Sequence, residues 1–238
     1  MPKIWAISDT HFPRNSMNKF GEQWINHRNR IIENICNKLR PGDTLLMPGD
    51  IVNTKYLETM LKEISAITSL KINIVISPGN HDKWISEVKD HMETIPENVF
   101  ISDCDTIIID NIAICGCVFW CFESAFPWEG QYANMDNLQA YQSKALKDLS
   151  CCLSKLSSVN NDITTKILLL HFPPISDKGI ETIYSNFISE SNIDYCVYGH
   201  AHGVKQKVEG CETTLGNTKF LFVTSDYLNM DPLLVLEY

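Results

Sequence analysis

Five short stretches of this chain place carboxylates, an amide and imidazoles where apolar runs stop. Lys3 to Ser8 ends at Asp9-Thr10-His11, a carboxylate and an imidazole two residues apart, which extended backbone points the same way. Thr44 to Met47 runs into Pro48-Gly49-Asp50, and Lys71 to Ser77 into Pro78-Gly79-Asn80-His81-Asp82. Lys166 to Leu170 ends at His171, and Tyr195 to Tyr198 ends in Gly199-His200-Ala201-His202-Gly203. Singly, each reads as well or better as a polar turn, a strand-end acid or a structural histidine. Together they place five of the seven histidines at the ends of predicted strands, where chance would scatter them over helices and loops. Carboxylates beside neutral imidazoles are the makings of a divalent-metal site of mixed oxygen and nitrogen character. Glycines flanking the last pair let the backbone approach a ligand closely.

The elements that must position these residues follow from apolar periodicity. Trp24, Ile31, Ile32, Ile35 and Leu39 recur at helical spacing until Pro41-Gly42 breaks the pattern, and His27 on that helix reads as an exposed histidine rather than a ligand. A second helix spans about Thr54 to Ile67 with Leu57, Met60, Leu61 and Ile64 as its buried stripe. Strand, helix, strand, helix, strand with short loops predicts a parallel βαβ arrangement covered on both faces. After a helical piece through His91, the runs Val99 to Ser102, Thr106 to Asp110 and Asn111 to Gly116 read as antiparallel or edge strands. A helix from about Met135 to Leu156 follows, and Phe220 to Thr224 with Leu233 to Leu236 complete a sheet. Ligands of such α/β folds gather at the carboxyl ends of the strands, where all five stretches fall.

Composition narrows the class further. With 238 residues, 44% of them hydrophobic, the chain can bury a substantial core as a single domain over 1–238. A formal charge of −9 argues against an extended nucleic-acid surface, which would need a basic face. The amino terminus enters a strand without a charged and then apolar leader, and no apolar run reaches membrane-spanning length. Nine cysteines then read as reduced thiols of a cytoplasmic protein, consistent with their odd number.

The cysteines invite a zinc reading that the sequence does not sustain. Cys115, Cys117 and Cys121 lie close together, but no second Cys/His pair has structural-site spacing, and vicinal Cys151 and Cys152 read as packing residues of a helix. Between these groups, residues 119–133 are dense in aromatic side chains and form either a cover on the core or a flap over a pocket. Nucleophile-elbow, phosphate-binding glycine-loop and paired-histidine protease motifs are absent, so serine-hydrolase, nucleoside-triphosphatase and zincin chemistries lack their starting residues.

Asp9-x-His11, Gly49-Asp50, Gly79-Asn80-His81-Asp82, His171 and Gly199-His200-x-His202 resemble, in order, the five blocks of calcineurin-like metallophosphoesterases, over about residues 4–203. Phe20-Gly21-x-x-Trp24-x-x-His27 and Ser225-Asp226-Tyr227-Leu228 are similar to an uncharacterised bacterial branch of predicted phosphohydrolases. The resemblance implies a four-layer α/β/β/α sandwich of two mixed sheets and hydrolysis of a phosphate ester by a hydroxide held between two divalent ions, manganese, iron or zinc. It assigns Asp9, His11 and His202 to one ion and Asn80, His171 and His200 to the other, with Asp50 as the bridge. Two such cations clamp a phosphoryl group and lower the pKa of the water between them.

The same resemblance gives His81 a phosphate contact and the protonation of the leaving oxygen, with Asp82 able to orient its ring. One departure stands in the second block, where Asn53 lies near the place of a usual acid. The readings left open are a monoesterase, a phosphodiesterase on cyclic nucleotides or nucleic-acid ends, and a non-catalytic scaffold on the same fold. A scaffold predicts lost histidines, and none of the matched ones is missing.

Overall fold

The computed structural model describes residues 1–13, 15–121, 138–176, 178–204 and 212–238. Two sheets stack face to face, and the alternation of side chains along each strand decides which layer every residue joins. In the first sheet the strands β1 (Lys3–Ala6), β2 (Thr44–Pro48), β3 (Asn73–Ser77) and β4 (Val99–Ile101) run parallel, with β11 (Leu233–Glu237) antiparallel on the β1 edge. In the second, β6 (Ile112–Cys117), β7 (Thr165–Leu170), β8 (Tyr195–Tyr198) and β10 (Thr218–Phe222) are parallel. Antiparallel β5 (Ile107–Ile109) and β9 (Glu212–Leu215) close its two edges.

Successive residues of a strand face opposite sides, so a strand buried on both faces feeds two cores. Leu46 and Val75 join Ile114, Leu169, Val197 and Leu221 in the core between the sheets. Their neighbours Leu45, Met47, Ile74 and Ile76 face outward and pack on helices α1 (His27–Lys38) and α2 (Leu57–Thr68) through Ile31, Ile35, Met60 and Ile64. On the opposite side Leu168, Leu170, Tyr198 and Phe222 pack on α3 (Leu138–Ser157) and α4 (Ile183–Ser189). The layers therefore run α/β/β/α. Withdrawing one such aliphatic chain from water is worth about 1.5–3 kcal/mol. A charge at Leu169, fully buried between the sheets, would therefore oppose their stacking.

Several expectations are corrected here. Strands β4 and β5 are edge strands as expected, but β6 is an interior strand, antiparallel to β5 and parallel to β7. The two terminal strands do not complete one sheet: β10 belongs to the second and β11 to the first. The chain reaches β11 through residues 225–232, whose turns place an aspartate at the site, as described below. The helical piece before His91 is a 3₁₀ turn over Lys83–Asp90, and Trp24 lies in a short 3₁₀ turn ahead of α1. Of residues 119–133, those from 122 onward lie outside the described residues; Phe119 is fully buried in the core under α3 and α4.

Candidate metal centre

Parallel strands of both sheets end at one edge of the sandwich, and each hands a polar residue to it. Asp9 and His11 follow β1, Asp50 follows β2, Asn80 to Asp82 follow β3, His171 follows β7, and His200 and His202 follow β8. The backbone is bent sharply to do this: Asp9, His11, Asp50 and His200 adopt left-handed φ values of 57°, 45°, 55° and 72°. Left-handed geometry costs about 1–2 kcal/mol for a residue with a β-carbon, and such strain concentrates at functional sites. Two glycines permit the close approach. At Gly49, with φ of 92°, a β-carbon would come within 2.8 Å of the Gly79 nitrogen, and at Gly199 within 2.3 Å of Asp9 Oδ2.

The first group is Asp9, His11 and His202. Asp9 is fully buried; its Oδ2 accepts from the Ser8 hydroxyl at 2.6 Å and from the His200 amide at 2.9 Å. Its Oδ1 is buried with no hydrogen-bond partner and faces His202 Nε2 at 3.6 Å and His11 Nε2 at 4.0 Å. The Nε2 atoms of His11 and His202 lie 3.0 Å apart. His202 Nδ1 meets Asp226 Oδ1 at 3.4 Å, while the other Asp226 oxygen accepts from the Gly203 amide at 2.7 Å. When the ring is neutral, that places the His202 proton on Nδ1 and leaves Nε2 with its lone pair toward Asp9.

The second group is Asn80, His171 and His200 with Asp50. His171 is fully buried and its Nδ1 donates to the Pro48 carbonyl at 3.1 Å, so its Nε2 is unprotonated when the ring is neutral. That lone pair meets Asn80 Oδ1 at 2.8 Å and His200 Nδ1 at 3.2 Å. Asp50 Oδ1 accepts from the His81 amide at 2.8 Å, and its Oδ2 stands 3.5 Å from His171 Nε2 and 3.6 Å from His11 Nε2, between the two groups. The potential ligand atoms of Asp9, His11 and His202, and separately of Asp50, His171 and His200, lie within 4.8 Å of one another.

This donor set fits divalent cations. An orphaned, fully buried carboxylate oxygen and lone pairs aimed at one another are costly unless a cation or proton lies between them. Burial pushes the imidazoles of His11 and His200 well below their usual range, toward the neutral form that binds metal. Burial alone would raise Asp50, yet the His171, His11 and His81 rings outweigh it and hold the carboxyl well below the carboxylate range. Asp9 is lifted by burial to about 6.

Two residues take tasks other than those expected. Asp82 does not present its carboxylate to His81: Oδ2 accepts from the amides of Asp50 at 2.6 Å and Gly79 at 2.9 Å, and Oδ1 from Ile51 at 3.0 Å and the Trp84 indole at 2.9 Å. It clamps the two loops after β2 and β3 together, and its burial with Asp50 nearby raises it to about 6. His27 is buried, not exposed, because Trp24 in the preceding turn folds its ring against it and its Nδ1 meets the Trp24 carbonyl at 2.9 Å. Trp24 in turn lies edge-on to His202 at 5.3 Å between ring centres, and Phe20 lies 5.2 Å from the same ring.

Asp226 had no role assigned from the sequence. The signal that marks it is the one that marked the others, an acid just past an apolar strand, here Phe220 to Thr224. His81 sits at the mouth, its side chain 41% exposed and its Nε2 3.9 Å from Asp50 Oδ2.

Solved structures similar to this one include a protein of unknown function from Aquifex aeolicus, with 15% identity and a TM-score of 0.53. That match covers 98% of this chain and 96% of the other. Another is phosphopantetheinyl hydrolase from Mycobacterium tuberculosis, with 14% identity, a TM-score of 0.57 and coverage of 94% and 89%. At these identities the likeness establishes the fold alone. No curated protein matches by sequence. Residues 2–204 match the calcineurin-like phosphoesterase family, a span that takes in both groups of side chains that could hold a metal ion. The chain belongs to the calcineurin-like phosphoesterase family and is a metal-dependent phosphoester hydrolase.

Proposed function

We propose that the chain hydrolyses phosphate esters at a centre of two divalent cations, manganese, iron or zinc, that share Asp50. The single observation that supports this reading is the place of Asp50 Oδ2, nearly equidistant from His11 Nε2 at 3.6 Å and His171 Nε2 at 3.5 Å. Asp9, His11 and His202 would hold one ion, and Asn80, His171 and His200 the other. Bound there, the cations supply Lewis-acid activation of water and neutralise charge on the phosphoryl oxygens.

The chain's own residues do the rest. Ser8 and the His200 amide fix Asp9 so that only Oδ1 turns inward. Asp226 and the Pro48 carbonyl set the tautomers of His202 and His171. His81, at the mouth and partly open to water, contacts the phosphate and protonates the leaving oxygen from its ring. One domain over the whole chain and a cytoplasmic location belong to the same reading. The latter is supported by the eight described cysteines, none of which forms a disulfide among the described residues. Among the described residues no helix is long and apolar enough to cross a membrane.

The test is metal-stripped protein, resupplied with manganese, against a panel of phosphomonoesters, nucleotides and phosphodiesters. Manganese-dependent release of phosphate from monoesters supports the reading. Turnover of diesters alone would move it to the phosphodiesterase alternative, and no turnover of either class would overturn it.

A further inference from the structure

On the outer face of the second sheet, facing α3, three thiols from three separate elements converge. The Sγ atoms of Cys104, Cys117 and Cys152 all lie within 4.8 Å of one another. Cys117 is the last residue of β6, and alternation turns it, with Cys115 and Ala113, toward α3. Cys152 belongs to the inner stripe of α3 that also includes Ala145, Leu149 and Leu156. Cys104 lies in the turn between β4 and β5, held against β6 by its amide, which donates to the Gly116 carbonyl at 2.7 Å. The Gly116 amide in turn donates to the Ser102 hydroxyl at 2.7 Å, so the turn is fastened to the strand on both sides.

Buried cysteines that serve only as small apolar residues have no reason to aim their sulfurs at one point from a turn, a strand and a helix. Three sulfur donors converging with no nitrogen or oxygen ligand among them are a soft thiolate set that suits a zinc ion. Sequence spacing could not show this, because the ligands are separated by a β-hairpin and a helix rather than by a short knuckle. Each ligating thiol would release its proton to solvent, and three thiolates on Zn²⁺ leave the site net negative. Lys144 on α3, paired with Asp148, lies near Cys104 and favours its thiolate.

We propose that Cys104, Cys117 and Cys152 form a thiolate zinc site that fastens the β4–β5 turn and α3 to β6. It is independent of the catalytic centre, whose ligands are nitrogen and oxygen, and the two can be told apart by spectrum. Full-length protein, stripped of metal under reducing conditions and titrated with Co²⁺, should show a thiolate-to-cobalt charge-transfer band that Zn²⁺ abolishes. Cys104→Ser, in a half-buried turn, should lose that band and one zinc per chain by elemental analysis, while His171→Ala keeps both. Absence of the band in wild-type protein at saturating cobalt would overturn the proposal, whatever the variants do. So would a band that Cys104→Ser leaves unchanged, or a disulfide within the group in protein purified under reducing conditions.

Discussion

His11 and His202 present their Nε2 atoms to each other across 3.0 Å, although they are 191 residues apart in the chain. The arrangement depends on Asp226, which meets the far nitrogen of His202 and also accepts from the Gly203 amide. A carboxylate behind a ligating histidine is typically worth about 10–100-fold in metal affinity. Asp226→Asn should therefore weaken binding of the cation at Asp9, His11 and His202 by about that factor, while leaving the fold intact. Competitive titration of metal-stripped protein against a fluorescent chelator measures it.

Asp82 makes a different prediction, of stability. Its two oxygens accept from the amides of Asp50, Ile51 and Gly79 and from the Trp84 indole, all within a fully buried pocket. Replacing it by asparagine turns an NH₂ group toward at least one of these donors, and a buried donor left without a partner costs about 1–3 kcal/mol. Asp82→Asn should be destabilised by about 3 kcal/mol in urea unfolding of the metal-free protein. A change below about 0.5 kcal/mol, the range of ordinary surface substitutions, would contradict the clamp.

Metal affinity should rise with pH. Burial lifts the carboxyl of Asp9 to about 6. Burial alone would lower His171, but the Asp50 carboxylate beside it outweighs burial and raises the ring to about 9. Ligands that hold protons in the metal-free protein must release them on binding, so apparent affinity climbs between pH 6 and 9 and flattens above the higher value. Calorimetric titrations with Mn²⁺ in buffers of different ionisation enthalpy should show proton release at pH 7. Affinity that is flat over this window would contradict the coupling.

Most of the candidate site is legible in the sequence because its residues share one rule of placement. Asp9, His11, Asp50, Asn80, His171, His200 and His202 all stand just past apolar strands, and parallel topology brings those ends together without further information. Asp82 obeys the same rule but was misread. A carboxylate next to a histidine in sequence suggests a partner for the ring, whereas its oxygens are taken by backbone amides across the β2 and β3 loops. His27 was missed for a similar reason: its helix period is correct, but a 3₁₀ turn ahead of α1 folds Trp24 over the face that the periodicity leaves to solvent. Assigning β10 and β11 to separate sheets depends on pairing partners far along the chain, and local apolar runs contain no trace of that.

His81 is separable from the ligands by its leaving-group dependence. His81→Gln should retain both ions yet slow alkyl phosphates by about 100- to 10,000-fold, the usual worth of general acid catalysis. p-Nitrophenyl esters, whose leaving group departs unprotonated, should lose far less. Equal losses on both substrates would make His81 a binding residue, and loss of metal would make it a ligand.

The shared carboxylate is the centre of the account, and manganese reports on it directly. Metal-stripped protein reloaded with Mn²⁺ should take up two ions at the nitrogen and oxygen ligands. Their electron paramagnetic resonance should be that of an exchange-coupled pair, because Asp50 Oδ2 lies between the two groups at 3.6 Å from His11 Nε2 and 3.5 Å from His171 Nε2. Asp50→Ala should lose the coupling together with hydrolysis. A single uncoupled manganese in the active wild-type protein, or a coupled pair and full activity in Asp50→Ala, would contradict the account.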